Sequence, residues 1–531
     1  MAVFNLADLF EIVVDTVPEN VALVAGEVRL TYAELEAVSN RLADYLRGQG
    51  IGAGDHVGLQ LYNGHEYFVA ALAAYKLRAV PININYRYVA DELAYLYDNA
   101  DLKALFFEPE LVERVSAALE SVPNLSVLVT AGADAITCGS IRTTPFTSAL
   151  AAGDPTRREI ERSGKDLCII YTGGTTGMPR GVMWEHDQLL FAGLQGGRPG
   201  DDPLERPEDL VDFIRDGMPY SMHTAAPLIH GSAQFACWIA IFTGGRNCLT
   251  PGPKFIPEET CRLLGAEGVT VVNLVGDAMA RPFAETYLSG DYEAPMLGVV
   301  TSAGAVLSQS VREQLEEAFP CAMIMNNFGS SESGHAGMAI SAEGGRAKFF
   351  MLGGRTKVLN PETLEVCAVG ETGMLATGGH LPRGYYKDPE KTAATFVETA
   401  SGRFVIPGDF AVLEEDGTIT LLGRGSVCIN TGGEKVFPEE VEEGIKAHPS
   451  VSDAIVVGVA DAQWGQRVCA LVTLRTGAAF DAAALSAHTR TKVAGYKTPK
   501  QFFVIDEMPR HPTGKPDYTT AQQVAAELAA R

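Results

Sequence analysis

The chain of 531 residues lacks the clustered cysteines that build a metal site or a disulfide framework. Its nine cysteines are scattered, with no CxxC pair and no Cys/His cluster. This distribution favours reduced thiols in the core of a cytoplasmic protein over a zinc site or a set of disulfides. We therefore expect the cysteines to have a packing role.

The chain also lacks a basic excess and a long hydrophobic run. Forty-two Lys and Arg residues stand against 66 Asp and Glu residues, a formal net charge of −24. Non-specific binding of nucleic acid or of an anionic membrane needs a basic face, so neither partner is expected. The most apolar stretch, 235–242, is too short to span a bilayer, and the first residues lack the basic segment of a signal peptide. Nucleotides are not excluded, because a phosphate site needs only local N–H groups and a few cations.

The patterns that are present predict a large α/β protein. At about 150 residues per domain, the length corresponds to roughly three or four structural units. From residue 4 to about 170, and again over 222–330, helical periodicity alternates with short β-like runs. In residues 30–50, Thr31 is a candidate N-cap three residues before Glu34. Such alternation predicts parallel sheets covered by helices.

Three regions depart from this alternation. Residues 192–220 are rich in Gly, Pro and Asp, which predicts a surface excursion with a short helix near 207–216. Residues 345–425 have a β-rich pattern, and the Asp-Gly pair at 416–417 predicts a hairpin. The last hundred residues are typical of a small α+β unit. The sequence therefore predicts an N-terminal domain, 1–425, with parallel α/β sheets and a β-rich subdomain, and a C-terminal α+β domain, 426–531.

Residues 171–182, YTGGTTGMPRGV, combine glycines, hydroxyls and one cation. Glycines allow close backbone approach, so the loop can present N–H and O–H groups to an anion, with charge from Arg180. A flexible turn without a ligand explains the glycines alone equally well. The order is not that of a Walker A loop, because no Gly-Lys-Ser/Thr follows. The chain also has no GxSxG elbow of an α/β-hydrolase.

The same stretch closely resembles the phosphate loop of the adenylate-forming superfamily, which contains acyl-CoA synthetases, luciferases and adenylation domains of peptide synthetases. Further stretches resemble later motifs of the family in the family's order: APLIHG (226–231), TSAGAVLS (301–308), NNFGSSES (326–333), GETGMLATGG (370–379), PGDF (407–410), GRGSVCINTGGEKVFPEEVE (423–442), GYKTPK (495–500) and PRHPTGKPDY (509–518). The resemblance thus covers essentially the whole chain. It departs from the family's usual residues at Gly174, Arg180, Phe328, Ser331 and the hinge position, Ser426.

This resemblance implies an ATP-dependent acyl-CoA synthetase. A carboxylate would attack the α-phosphorus of ATP, giving an acyl-adenylate and pyrophosphate. The thiolate of coenzyme A would then attack the acyl carbon, and AMP would leave. The C-terminal domain would be mobile and rotate between the two half-reactions. The implied partners are a small carboxylic acid, ATP, Mg²⁺ and coenzyme A.

The resemblance also assigns roles to residues. The catalytic set would be Lys515, Glu332, His230 and Arg180. Lys515 would bridge the carboxylate and the α-phosphate, and Glu332 with Thr176 would bind the metal. The nucleotide would lie against Thr172, Gly173, Gly174, Thr175, Thr176, Gly177, Gly304, Ala305, Asn327, Phe328, Gly329, Ser330, Ser331, Asp409 and Arg424. Gly432, Gly433 and Lys435 would face coenzyme A. Each charged residue has a simpler interpretation as a solvated loop or turn residue.

The acyl pocket is expected at His230, Gly231, Val275, Met279, Ala303, Gly304 and Gly329. These residues are small, apolar or weakly polar, and no cation is placed among them to bind a second carboxylate. They favour a bulky or long apolar acid, although some could be plain core positions. The motif set resembles most closely a bacterial branch of fatty-acid and sterol side-chain CoA ligases, which implies a medium-to-long-chain or steroid-linked carboxylate.

Two alternatives remain open at this stage. The chain could be an adenylating enzyme that loads a carrier protein or oxidises its adenylate, although no carrier domain is visible in the sequence. It could also be a non-catalytic nucleotide-binding relative, which the departures at Gly174, Arg180 and Ser426 allow. The oligomeric state is open, and a homodimer is compatible with the sequence.

Overall fold

The computed structural model describes the chain with short gaps. It covers residues 2–120, 122, 124–172, 178–305, 307–339, 342–343, 346–351, 354–399, 401–431, 434–461, 465–511 and 515–530. At residues 342, 343, 346, 347, 424, 426, 430, 434 and 435 it describes the backbone alone.

The helices are distributed along the whole chain. They are α1 Leu6–Thr16, α2 Tyr32–Gly48, α3 His65–Lys76, α4 Ala90–Asn99, α5 Val112–Leu119, α6 Phe146–Ala152, α7 His186–Gly193, α8 Asp209–Asp216, α9 Gly231–Phe242, α10 Pro257–Ala266, α11 Gly276–Ser289, α12 Gln309–Ala318, α13 Pro389–Thr395, α14 Pro438–Lys446, α15 Ala482–Arg490 and α16 Tyr518–Ala529. Short 3₁₀ turns occupy Pro109–Leu111, Gln195–Gly197 and Gly425–Val427.

The strands of the first half are β1 Val21–Ala25, β2 Val28–Thr31, β3 His56–Gln60, β4 Val80–Asn83, β5 Leu102–Phe107, β6 Val127–Thr130, β7 Thr137–Cys138, β8 Ile141–Arg142, β9 Thr144–Pro145, β10 Leu167–Thr172, β11 Arg180–Glu185, β12 Ser221–Thr224 and β13 Arg246–Leu249. Those of the second half are β14 Val271–Leu274, β15 Val299–Ser302, β16 Met323–Ser330, β17 Gly334–Ala339, β18 Ala342–Glu343, β19 Arg346–Met351, β20 Thr356–Leu359, β21 Thr372–Thr377, β22 Gly384–Tyr385, β23 Phe396–Thr399, β24 Gly402–Val405, β25 Asp409–Leu413, β26 Ile419–Arg424, β27 Ile429–Thr431, β28 Glu434–Val436, β29 Val451–Asp461, β30 Gly465–Leu474 and β31 Gln501–Val504.

The first sheet has the strand order β22-β11-β10-β4-β3-β5-β6-β9. Strands β10, β4, β3, β5, β6 and β9 are parallel, and β11 and β22 join antiparallel at one edge. Every residue of β3 and of β4 is buried, as expected for parallel strands covered on both faces. The predicted parallel α/β sheet is therefore confirmed.

Helix α2 shows how local sequence starts an element. The Thr31 hydroxyl accepts a hydrogen bond from the Glu34 amide at 3.2 Å, and the Glu34 carboxylate accepts one from the Thr31 amide at 2.9 Å. This capping box satisfies two amides that a helix start leaves without partners. Gly50, just after the helix, has a φ of +85°, a conformation that glycine adopts without strain.

The second sheet joins two kinds of strand pairing. Strands β1, β13, β12, β14, β15 and β16 lie side by side and are parallel. From β17 onward the sheet continues antiparallel through β19, β26, β25, β21, β24 and β23. Strands β25 and β26 form the hairpin predicted at Asp416-Gly417, with Gly417 at a φ of +80°. The β-rich pattern of 345–425 is thus confirmed.

The third sheet lies in the C-terminal part of the chain, with the order β28-β27-β30-β29 and β31 parallel to β30. Alternate residues of β29 face opposite layers. Ala454 and Val456 pack with Val441 of α14, whereas Ile455 and Val457 pack with helix α16. Because both faces of β29 are covered, its hydrophobic run is continuous and does not alternate with polar residues.

Most of residues 200–219 are exposed, as expected for a surface excursion, whereas 192–199 are largely buried. The short helix exists as α8, but it packs on α1, and Leu204, Leu210 and Ile214 are buried in the main core. Further residues of this segment line the large cavity described below. A few apolar side chains, spaced far apart in a polar sequence, anchor this excursion to the core, and the sequence pattern did not predict that anchoring.

The nine cysteines form no disulfides, and all are buried except the exposed Cys321 and the half-buried Cys428. The expected packing role therefore holds for the buried ones. No helix in the described part of the chain combines the length and the apolar character that a membrane crossing requires.

Candidate active site

One large cavity lies where the two larger sheets and the C-terminal region meet. Its volume is about 1500 Å³, and it is lined by residues from β10, β11, α9, β14–β16, β25 and α14. Ordinary ligand pockets measure roughly 300–1000 Å³, so this cavity has room for a nucleotide together with a second ligand.

The loop expected to hold phosphates connects two paired strands. Thr172, the last residue of β10, and Arg180, the first residue of β11, are cross-strand partners, and both line the cavity. Gly173, Gly174, Thr175, Thr176 and Gly177 lie outside the described residues. The Nε atom of Arg180 donates to Oδ2 of Asp388 at 3.0 Å. The guanidinium is thus oriented by a carboxylate that the sequence motifs did not indicate.

The turn after β16 carries Glu332, the carboxylate expected to bind the metal. Phe328, Gly329, Ser330, Ser331 and Glu332 all line the cavity. The backbone carbonyl of Ser331 accepts a hydrogen bond from the indole of Trp184 at 2.8 Å, which ties the turn to β11. Tyr385 donates its hydroxyl hydrogen to Oε1 of Glu332 at 2.8 Å.

The described residues contain no cluster of three or more His, Cys, Asp or Glu side chains that could hold a metal by themselves. A single carboxylate such as Glu332 nevertheless fits Mg²⁺, which keeps several waters and usually binds through one or two carboxylates plus substrate phosphates. The donor set therefore suits an ion that arrives with a nucleotide.

The other nucleotide candidates surround the same space. Gly304 has a φ of +82°, and a Cβ atom there would meet no atom within 4 Å. Ala305 and Asn327 line the cavity from neighbouring positions. Asp409 lines it from the start of β25, where its cross-strand partner is Arg424, whose side chain lies outside the described atoms.

His230 lies immediately before α9, and its Nε2 atom is buried with no hydrogen-bond partner among the described residues. Burial, together with the nearby charges of Lys515 and Arg87, lowers the pKa of this imidazole to about 3. The ring is therefore neutral at physiological pH. The electrostatic effect also shows that Lys515, far away in sequence, lies on the His230 side of the cavity. Arg87 was missed because no motif surrounds it.

A tunnel leads away from His230 along the second sheet. One wall is formed by residues of the parallel strands β14, β15 and β16 and by the residues that directly follow β14 and β15. From the strands these are Val271, Asn273, Val299, Thr301, Met325 and Asn327, and after them Val275 and Ala303. Helix α9 forms the opposite wall with Phe235, Ala236 and Ile239. At the far end, the tunnel reaches Met218 and Met296, which are 76% and 53% exposed. The cavity lining therefore extends from His230 to exposed residues just before β12 and β15.

Comparison with known proteins identifies this architecture. The family model described as AMP-binding enzyme matches residues 10–386, and the one described as AMP-binding enzyme C-terminal domain matches residues 440–515. The chain belongs to the AMP-binding enzymes.

Similar proteins of this family are named as CoA ligases. A medium/long-chain-fatty-acid–CoA/3-oxocholest-4-en-26-oate–CoA ligase of Mycobacterium tuberculosis is 41% identical over 531 residues, which covers 98% of this chain and 96% of that protein. A 3-oxocholest-4-en-26-oate–CoA ligase of Rhodococcus rhodochrous is 40% identical over 533 residues, covering 98% and 95%. The ATP-bound crystal structure of MatB from Rhodopseudomonas palustris has a TM-score of 0.80 at 26% identity, covering 99% and 100%. The expectation of an AMP-forming CoA ligase is confirmed at the level of the family.

Two expectations about the acyl pocket of this AMP-binding enzyme need correction. Met279 does not line the large cavity. It lines a smaller one of about 180 Å³, while its neighbour Ala278 faces the large one. Helix α11 starts at Gly276, and a single residue along a helix turns the side chain by about 100°. His230, Gly231, Val275, Ala303, Gly304 and Gly329 do line the large cavity.

The second correction concerns Gly329. A Cβ atom at this position would lie 2.1 Å from the carbonyl oxygen of Gly334 on the paired strand β17. Close approach of the two backbones, and not room for a wide substrate, therefore requires this glycine. At Gly304 the space is open, so the expectation that a small residue leaves room for a bulky acid remains consistent there.

The C-terminal region closes one side of the cavity. Lys515 lines it, together with Glu439, Glu440, Glu442, Glu443 and Lys446 of α14. Two contacts join α14 to the N-terminal part. The amide of Gln309 donates to Oε1 of Glu443 at 2.8 Å, and Nζ of Lys446 lies 3.7 Å from Oδ2 of Asp277.

The coenzyme A candidates and the hinge cannot be placed as side chains. Gly432 and Gly433 lie outside the described residues, and the side chains of Lys435 and Ser426 lie outside the described atoms. The backbone of Ser426 is part of the 3₁₀ turn between the last strand of the second sheet and the first strand of the third.

Proposed function

We propose that this chain is an AMP-forming acyl-CoA synthetase that activates a hydrophobic carboxylic acid, either a medium- or long-chain fatty acid or a steroid side-chain acid. The observation that carries the proposal is the tunnel between the second sheet and α9. Its lining includes His230, Val271 and Val299 and extends to the exposed residues Met218 and Met296. Parallel strands rise about 3.3 Å per residue, so the four residues from Val275 back to Val271 alone correspond to about 13 Å. An elongated apolar acid fits such a shape.

The carboxylate of the acid would lie at the start of α9. Gly231 and Ser232 are the first residues of this helix, and both line the cavity. Unpaired amides and the helix dipole favour an anion at this end of a helix. The acyl chain would then extend along the helix wall, which is apolar at Phe235, Ala236 and Ile239.

In the first half-reaction, Lys515 would offset the negative charge that builds up as the carboxylate and the α-phosphate meet. Arg180 and the loop from Thr172 would hold the terminal phosphates, and Asp409 would accept hydrogen bonds from the ribose. When bound, Mg²⁺ would neutralise phosphate charge, and Glu332 is the residue that would hold it. Tyr385, which donates to Glu332, would fix the direction of that carboxylate.

His230 would act as a neutral group. Its pKa, lowered to about 3, leaves the imidazole uncharged throughout the physiological range, so it cannot serve as a second cation for the carboxylate. It would shape the junction between the nucleotide and the acyl tunnel and offer Nε2 for one hydrogen bond.

The second half-reaction needs access for coenzyme A. We place the CoA side at Gly432, Gly433 and Lys435 and the hinge at Ser426, with the boundary between the domains at 425/426. The C-terminal unit from 426 onward would rotate so that this side replaces Lys515 at the reaction centre. The scattered free thiols support a cytoplasmic setting.

AMP release from Mg-ATP, measured with a panel of acids with and without coenzyme A, tests the proposal. The panel spans short, long-chain, aromatic and steroid side-chain carboxylates. CoA-dependent AMP release confined to long-chain or steroid acids is the expected result. Release without any effect of CoA would favour a carrier-loading enzyme, and no acid-dependent release would favour a non-catalytic nucleotide-binding relative.

A further inference from the structure

The wall of the tunnel is not uniformly apolar. Asn273 is only 4% exposed and lines the cavity from β14, and its partner in the parallel register, Thr301, lines it from β15. Asn327 lines the cavity from β16, and its Nδ2 donates to Oγ1 of Thr301. We call these three residues the polar belt.

Within the polar belt, Asn273 and Thr301 lie between two apolar levels of the same wall. Asn327 is two residues beyond Met325, the register partner of Thr301, and so lies at the level of Ala303. Val271 and Val299, which are register partners, lie on the side toward the surface. Val275 and Ala303 lie on the side toward His230. Residues two apart on a strand share a face, so the level of Asn273 and Thr301 is one step of about 6.6 Å from the level nearest the reaction centre.

The polar belt has unused hydrogen-bonding capacity. The side-chain oxygens of Asn273 and Asn327 are buried, and neither has a partner among the described residues. Thr301 accepts from Asn327, which leaves its hydroxyl hydrogen as a further donor. Buried amide oxygens are rarely left without a donor, because the missing bond is unfavourable. A plain alkyl chain would pass the polar belt without supplying one.

We propose that the polar belt selects acids that carry a hydroxyl group part-way along the hydrocarbon, at the level of Asn273 and Thr301. The hydroxyl would donate to an asparagine oxygen and accept from the Thr301 hydroxyl. This inference rests on the proposed function and narrows its substrate class. Asn273 and Thr301 lie a strand step away from the level nearest the carboxylate, so a hydroxyl next to the carboxylate would not reach them.

A position series of monohydroxylated dodecanoic acids, compared with dodecanoic acid itself, tests the inference. The measured quantity is kcat/KM for CoA-dependent AMP release. We expect one or two adjacent hydroxyl positions to exceed both the parent acid and the other positions by about tenfold or more, because a site built to bond a hydroxyl discriminates against analogues that lack it.

Substitution links the preference to the polar belt. Asn273→Leu should reduce the ratio between the preferred hydroxy acid and dodecanoic acid to near one. The matched control is Asn247→Leu, at a fully buried asparagine of β13 that donates to the Cys237 carbonyl and does not line the cavity, and it should keep the ratio. If Asn273→Leu fails to fold, the position series of the unaltered enzyme still decides.

The outcomes separate this inference from the proposed function. Turnover of dodecanoic acid with equal kcat/KM for every hydroxyl position would overturn the polar belt and leave the synthetase activity standing. A preference that survives in Asn273→Leu would also overturn it. Absence of turnover with every acid of the series, alongside the negative panel above, would overturn the proposed function and this inference with it.

Discussion

The ammonium of Lys446 lies 3.7 Å from Oδ2 of Asp277, and both side chains are largely buried, at 5% and 14% exposure. Lys446 ends α14, whereas Asp277 belongs to the first turn of α11. The pair therefore joins the C-terminal region to the N-terminal part of the chain. The same arrangement places Lys515 near His230.

Asp277→Asn is expected to slow the first half-reaction selectively. Oδ1 of Asp277 accepts from the Ser308 amide at 2.7 Å, and asparagine retains that acceptor while losing the charge. The proposed rotation of the C-terminal domain would break this ion pair, so its loss is expected to shift the population away from the orientation that contains it. ATP–pyrophosphate exchange should fall at least about fivefold, since even an exposed pair contributes up to about 1 kcal/mol, and the burial of Lys446 and Asp277 increases the loss. Thioester formation from a supplied acyl-adenylate should not fall.

The control for this change is Asp212→Asn, at an exposed position of α8, which removes the same charge far from α14. It should leave both half-reactions unchanged. An equal loss of both half-reactions in Asp277→Asn would show that the pair supports the fold as a whole and not one orientation.

Lys515→Ala is expected to abolish adenylate formation and to spare the second half-reaction. Only the first step brings a carboxylate and a phosphate together, and there the missing ammonium would leave their repulsion uncompensated. The measurements are pyrophosphate exchange and thioester formation from a supplied acyl-adenylate. Loss of both activities together would contradict the proposed division of labour within the C-terminal domain.

Arg180→Lys is expected to retain measurable activity with a KM for ATP raised by roughly three- to tenfold. The guanidinium can bond Asp388 through Nε and still present two further nitrogens, whereas an ammonium offers one point charge. Steady-state kinetics with ATP as the varied substrate measures the effect. Asp388→Asn, which keeps the arginine but weakens its orientation, should change KM less. A completely inactive Arg180→Lys enzyme would show that the site depends on the guanidinium itself.

Glu108→Gln is expected to stabilise the protein above neutral pH. Burial raises the pKa of the Glu108 carboxyl to about 7, although the Tyr62 amide donates to it at 2.9 Å. A carboxyl whose pKa is higher in the folded than in the unfolded state favours folding at low pH, and that contribution is lost as the pH rises from about 4.5 to about 7.

Glutamine keeps the acceptor and never ionises. The free energy of unfolding of Glu108→Gln should therefore exceed that of the parent by about 1–2 kcal/mol at pH 8, and the difference should shrink at pH 5. Denaturant unfolding at the two pH values provides the comparison, with Glu113→Gln at an exposed position of α5 as the control. A difference independent of pH would contradict the assignment to Glu108 ionisation.

Local signals predicted the elements well. The capping box at Thr31 and Glu34, the buried parallel strands and the hairpin at Asp416-Gly417 each depend on residues close together in sequence. The motif residues also converge, since those that are described line one cavity, Met279 apart.

The features of the site that the sequence did not predict depend on contacts between segments that are far apart in the chain. Nothing near Arg87 or Asp388 in the sequence indicates that one faces His230 and the other Arg180. The requirement for glycine at 329 comes from the backbone of Gly334, and the outward turn of Met279 comes from where α11 begins. Such features follow from the register of strands and the phase of helices, which no short motif encodes.

The open end of the tunnel, where Met218 and Met296 are exposed, gives the acid a route that does not pass the nucleotide. A bound nucleotide therefore need not block the acid, and a bound acid need not block the nucleotide. A tail long enough to reach Met218 and Met296 would meet solvent there. Chain length alone would then set no upper limit on the acids that reach the reaction centre.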